Sequence, residues 1–230
     1  MKMRVFIAVV ATVLMSAAGV PSAGAQGLAA LSSQQASGGL KEALTQGVST
    51  AVASTGKPGG YFNNPAIKIM MPPKLQTVEK GLRGMGMGPK VDEFEKSMNT
   101  AAEQAAPAAK AILMDALKAM TFDDAKQIVA GGNTAGTAYF KRTTSDKISA
   151  AFKPIVDQSM AKVGVNTQFQ SLMGSAPKLP FAKTPTLDIN AYVLQKAVDG
   201  LFVVMGQEET KIRTNPAAQV TPLLKSVFGR

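Results

Sequence analysis

Apolar residues at Leu40, Leu44, Val48 and Val52 advance in steps of four, which places them on one face of a helix starting near Gly38. The turn-rich run Thr55-Gly56-Lys57-Pro58-Gly59-Gly60 ends that helix. The pattern then changes period. Ile67, Ile69 and Met71 alternate with Lys68 and Met70 between Pro65 and Pro72, which predicts one short extended segment over 64–71. A lone strand cannot make a sheet, so this segment is expected to lie across helices or to pair in a short hairpin. Pro72-Pro73 open a helix with Leu75, Val78 and Leu82 inward, and the glycines of 84–88 with Pro89 break it.

Helical stripes fill the remainder. Val91, Phe94, Met98 and Ala102 form one, and after Pro107 the set Ile112, Leu113, Ala116, Leu117 and Met120 forms the next. Thr121 and Asp124 read as an N-cap pair for a short helix that stops at Gly131-Gly132. A helix from Asn133 or Thr134 carries Tyr139 and Phe140, and Thr144 or Ser145 is expected to cap another holding Ile148, Phe152, Ile155, Met160 and Val163, kinked at Pro154. Asn166–Met173 is a short helix and Gly174–Pro185 a loop. Asp188 caps the last long helix, whose Leu201–Met205 run is apolar all round and is expected to be buried on every side. A short C-terminal helix carries Val220, Leu223, Leu224, Val227 and Phe228. The fold class is therefore all-α: a single compact multi-helix domain over 38–230, of about eight or nine helices, with the one extended segment near 64–71.

The start of the chain reads as an address. Lys2 and Arg4 precede an apolar run from Val5 to Met15, and Ala23-Gly24-Ala25 sets small residues before a cut at Gln26. That order is a cleaved secretory signal peptide over 1–25, and the apolar core falls short of the roughly 18 residues of a membrane span. Small, polar residues 26–37 are expected to form a flexible leader. The expected location is the periplasm, with no lipid anchor and no transmembrane segment after cleavage. Losing Lys2 and Arg4 lowers the net charge from +10 to +8. A basic exported chain suits anionic envelope partners and weak association with an anionic lipid surface. Nucleic acid is not an expected partner, since Lys outnumbers Arg 20 to 5 and the charges are dispersed.

Composition narrows the chemistry further. With no Cys and no His there is no Ser-His-Asp triad, Cys nucleophile or ordinary zinc site. No catalytic residue, metal ligand or cofactor is assigned. The candidate ligand site is the stretch 136–144, where Arg142, Thr143 and Thr144 would meet an anionic ligand and Tyr139 and Phe140 would wall it. The same residues would equally make an aromatic core pair with cations at a helix C-terminus. Other features have plain structural accounts. Gly84–Gly88 is a helix stop, and the acids Asp92, Glu93, Glu95, Asp123 and Asp124 sit near helix starts, where the macrodipole favours them. The pairs Ser159/Lys162 and Ser175/Lys178 have nucleophile spacing without the other elements of that chemistry.

The reading is an envelope binding or interaction module, for an unidentified ligand or protein partner. One alternative is a hydrolase or transferase using Asp, Glu or Lys, with Lys196 and Asp199 as actors, although a buried i,i+3 ion pair explains those two as well. A second is copper handling by Met70, Met71, Met85 and Met87, since thioethers select Cu(I).

Laid in order, the blocks ASGGLKEAL (36–44), NPAIKI (64–69), VDEFEKSMNTAAEQAAP (91–107), MTFDDAKQIVAGGNTAGTAYFKRTT (120–144), FKPIV (152–156), YVLQKAVDGLF (192–202), EETKIRTNPAA (208–218) and LLKSVFG (223–229) resemble a family of exported bacterial helical proteins catalogued as a domain of unknown function. The resemblance implies an all-α, envelope-located protein and carries over no activity or site residue. Members often bear a lipoprotein signal, whose cysteine this chain lacks.

Overall fold

The structure is a computed structural model; it describes residues 23–162, 164–175, 187–219, 221, 222 and 225, with side chains from Ser37 onward except at Asn166 and Ser175. Residues 1–22, within the segment read as a signal peptide, most of the stretch 174–185 read as a loop and most of the C-terminal stripe from Val220 to Phe228 lie outside the described residues.

Among the described residues the regular secondary structure is all helical, with no strand. Helix α1 spans Ala23–Gly56, α2 Gln76–Gly84, α3 Gly88–Ala105 and α4 Ala109–Ala119. Helix α5 spans Phe122–Ala130, α6 Ala135–Lys162, α7 Val165–Ser175 and α8 Ile189–Thr214. Three-residue 3₁₀ turns at Pro73–Leu75, Ala106–Ala108 and Pro216–Ala218 mark the prolines. Helices α6 and α8 pack on each other at the centre, α1 lies against α8 and α4, and α3 lies against α6 and α8. The stripes read from the sequence line one core: Leu40, Leu44 and Val48 of α1, Phe94 and Met98 of α3, Ile148 and Phe152 of α6, Leu201 of α8.

Several boundaries differ from the expectation. Helix α1 already runs through 26–37, the stretch read as a loose leader. Its alanines, serines and glutamines contain no proline, and alanine is the strongest helix former. The expected break at 142–144 is absent: α6 continues through it and past Pro154 to Lys162. Thr144 and Ser145 are interior helix residues whose hydroxyls donate to the Phe140 and Lys141 carbonyls, at 2.6 and 2.5 Å, instead of capping a new helix. The Leu201–Met205 run is not buried all round, since Val203 is 43% exposed. The caps stand as read. Thr121 and Asp124 form a reciprocal capping box, and Asp188 accepts from the Ala191 amide at 3.0 Å.

The segment read as extended turns once at Asn64–Ile67, where the Ile67 and Lys68 amides donate to the Asn64 carbonyl, and then crosses α3 as irregular chain. It buries Ile67, Ile69 and Met71 and exposes Met70. Ahead of it Tyr61 reaches across to α8, fully buried, and its hydroxyl donates to the Ala197 carbonyl. Burial, aided by the nearby Glu103 charge, drives that phenol well above the ordinary tyrosine range. The ring packs against Gly200, where a Cβ would stand 2.6 Å from Tyr61 Cε1.

Gly200→Ala is expected to destabilise the fold by about 1–3 kcal/mol through overpacking, although alanine is the better helix residue. Gly38→Ala, on α1 where a Cβ meets no atom within 4 Å, is expected to stabilise by about 0.5–1 kcal/mol. Urea midpoints of the two variants check both. The Thr121 hydroxyl and amide hold the Asp124 carboxylate below its ordinary range. A depressed acid stabilises the fold above its unfolded-state pKa and loses that contribution as pH falls through the folded-state value. Thermal melts from neutral to acid pH should therefore show a steeper decline for the parent than for Thr121→Ala.

Candidate functional site

The five residues of the candidate ligand site lie on consecutive turns of α6 and point different ways. Phe140 is fully buried, Tyr139 is 7% exposed, and their rings meet edge to face at 5.6 Å. The Tyr139 hydroxyl donates to the Ala116 carbonyl at 3.2 Å, which ties α6 to α4. Thr144 is buried one turn beyond Phe140, whereas Arg142 and Thr143 are exposed. The Arg142 guanidinium stands 5.8 Å from the Tyr139 ring. The aromatic pair thus belongs to the core, and the cation and Thr143 to the surface. Where Phe140 meets Leu44, Met205 and Ile212, the enclosed space is about 10 Å³, room for a single water at most.

The other candidates separate as well. Met71 is 2% exposed while Met70 and Met85 are 47% and 44% exposed, so these thioethers do not share one environment. Lys196 is exposed and its ammonium stands 5.9 Å from the Tyr192 ring. Asp199 pairs instead with Lys141 of α6 at 3.7 Å, a solvated contact and not a buried i,i+3 pair with Lys196. Ser159 is buried and Lys162 exposed. Among the described residues, no group of three or more acidic side chains converges as a metal site.

Sequence reasoning missed the polar groups that organise the interior. Glu95, Asn99 and Glu103 lie at four-residue steps on α3 and are 2%, 0% and 6% exposed. Asp92, Glu93 and Glu95, read as crowding a helix start, are not first-turn acids: α3 begins at Gly88 and has no acid in its first turn. The partners of Glu95, Asn99 and Glu103 are main-chain groups of 59–71. Glu103 Oε1 accepts from the Tyr61 and Phe62 amides at 3.0 and 3.1 Å, and its Oε2 accepts from the Gly59 amide at 3.1 Å. Asn99 exchanges two bonds with Ile69, amide to Oδ1 and Nδ2 to carbonyl, both 2.8 Å. Glu95 accepts from the Met71 amide at 3.0 Å and faces the Lys68 ammonium at 3.8 Å. A signal was available: a buried extended segment without a strand partner must find acceptors elsewhere.

Glu209 of α8 plays the same part for a helix end. It accepts from the Gly136 and Thr137 amides at 2.8 and 2.7 Å and from the Thr137 hydroxyl at 2.8 Å, so it caps α6 from another element. Arg213, one turn on, bonds Glu209 at 2.9 Å and donates to the Ile128 carbonyl of α5 at 2.9 Å.

The strapping of 59–71 onto α3 leaves a cleft of about 520 Å³ between α3 and the 56–63 turn. Phe62 and Asn63 line one wall, Lys96, Thr100 and Gln104 the other, with Glu103 on the floor. The turn is fixed by glycines. Gly59 has φ +77°, and a Cβ at Gly60 would stand 2.4 Å from the Ser54 carbonyl oxygen. A shallower groove of about 560 Å³ runs along α8 past Val203, Gly206 and Thr210 to Thr214.

Glu103→Ala strands three main-chain donors, two of them on residues at the buried end of the turn, and is expected to destabilise by about 3 kcal/mol or more. Glu209→Ala, which removes the acceptor of two helix-start amides and breaks the buried ion pair with Arg213, is expected to lose about 3–5 kcal/mol. Urea unfolding of each variant measures both. Gln104→Ala at the exposed rim of the cleft should stay within about 0.5 kcal/mol of the parent.

No curated protein and no solved structure matches the chain. Residues 30–229 match the family described as protein of unknown function (DUF4197), and the chain belongs to that family.

Proposed function

We propose that this protein is an exported binding module of the cell envelope, and that the cleft between α3 and the 56–63 turn is its ligand-facing surface. The observation that carries the reading is what the cleft displays. Asn63, Thr100 and Gln104 are hydrogen-bonding side chains, and beside them stands no imidazole or thiolate to activate a nucleophile, because the chain contains neither residue type. The buried carboxylates Glu95, Glu103 and Glu209 are committed to main-chain donors, so a catalytic role for any of them would loosen the segment it holds. Export rests on the Met1–Ala25 pattern and its small residues before Gln26. No described helix is long and apolar enough to cross a membrane.

Native mass spectrometry of the protein purified from the periplasm of its own host tests both parts. The expected result is a chain beginning at Gln26 with a reproducible non-covalent adduct that denaturing conditions remove. A chain that keeps Met1 and stays in the cytoplasmic fraction overturns the export reading. A bare mass under gentle conditions counts against a tightly held ligand, and an adduct carrying copper would replace this reading with the thioether one.

A further inference from the structure

We infer that the cleft between α3 and the 56–63 turn takes a neutral saccharide chain; this rests on the binding reading above and names the chemistry of its ligand. The shape is elongated. Lys96, Thr100, Glu103 and Gln104 occupy one side of α3 over about 12 Å of helix axis, and they face Phe62 and Asn63 across a volume of about 520 Å³.

Charge disfavours the strongly ionic alternatives. A phosphate or carboxylate ligand would meet the Glu103 carboxylate on the floor, opposed by Lys96 on the wall and by Lys68 behind the Phe62 ring. A cationic ligand would meet Lys96 and also Lys68, whose ammonium stands 4.4 Å from the Phe62 ring. A neutral polar ligand incurs neither repulsion.

The hydrogen-bonding groups fit hydroxyls. Thr45, Thr55, Thr144 and Thr214 turn their hydroxyls back onto carbonyls of the preceding helical turn. Thr100, also inside a helix, makes no such bond among the described residues and lines the cleft instead. The primary amides of Asn63 and Gln104 also make no bond to another described side chain, and amide and hydroxyl groups both donate and accept, as sugar hydroxyls do. Glu103 receives one amide on Oε2 and two on Oε1; a carboxylate has about four acceptor positions, which leaves one on Oε2 for a sugar hydroxyl. The Phe62 ring, held from one side by Lys68, supplies the flat apolar surface that the C–H face of a pyranose requires.

The test is a ¹⁵N–¹H titration of the purified protein with maltotetraose and with the tetramer of N-acetylglucosamine, each to about 10 mM, well above a millimolar Kd. Glycylglycine and inorganic phosphate serve as zwitterionic and anionic comparisons. At least one tetrasaccharide is expected to shift the Gly59, Phe62, Asn63 and Thr100 amides saturably. Phe62→Ala and, at the exposed rim, Gln104→Ala are each expected to weaken that binding about tenfold, a change of about 1.4 kcal/mol, with the rest of the spectrum unmoved. Absence of shifts with both sugars overturns the inference, as do shifts that persist unchanged in Gln104→Ala. Saturation by glycylglycine or phosphate in place of the sugars also overturns it, but leaves the binding reading standing. That reading is judged separately by the adduct carried from the host.

Discussion

A buried stretch of irregular chain must bond its amides somewhere, and in this protein a helix does what a neighbouring strand would do in a sheet. Five amides of 59–71, those of Gly59, Tyr61, Phe62, Ile69 and Met71, are received by three side chains of α3. The arrangement lets Tyr61, Ile67, Ile69 and Met71 enter the core without stranding the main chain that bears them. Each buried donor left unmet costs about 1–3 kcal/mol, against a total stability of about 5–15 kcal/mol for an ordinary domain. The position of the segment is therefore decided by α3 more than by the segment's own apolar residues. It also follows that the cleft wall formed by Phe62 and Asn63 is held in place by α3.

Glu209 shows the same economy at a helix terminus. The first amides of a helix have no partner within it, and the first turn of α6 is too deep for water to serve all of them. A carboxylate from α8 takes two, and Arg213 offsets its charge while reaching back to the end of α5. Three helices are thereby registered at one point by a single acid and a single base. Buried ionic groups of this kind contribute little net stability beside an apolar replacement. What they do here is fix which helix end meets which.

Much of the architecture was legible in the sequence because it follows hydrophobic period and cap chemistry. The Leu40–Val52 stripe, the Thr121–Asp124 box and the Asp188 cap are local signals, and the structure keeps them. The apparent break at 142–144 misled because Lys141, Arg142, Thr143 and Thr144 look like a polar junction. The four-residue step Phe140, Thr144, Ile148, Phe152 runs straight through it, with a hydroxyl at one core position satisfied by its own helix. The α3 polar stripe was illegible for the complementary reason: periodicity assigns Glu and Asn to the outside, and only the approach of a segment 24 to 44 residues earlier puts them inside. The cleft shares that origin. Its walls come from two distant stretches, and no spacing within either one announces the other.

The Tyr61 hydroxyl and its acceptor, the Ala197 carbonyl, are 136 residues apart along the chain. Helix α1 likewise finds much of its cover in α8, the last long helix. A chain that emerges amino end first therefore cannot bury its first helix, or seat its tyrosine over Gly200, until nearly all of it has appeared. Contacts of such separation are slow to close. The early helices must wait with their apolar faces uncovered, the condition in which chains aggregate or are held by chaperones. The arrival of α8 is the event that closes the domain.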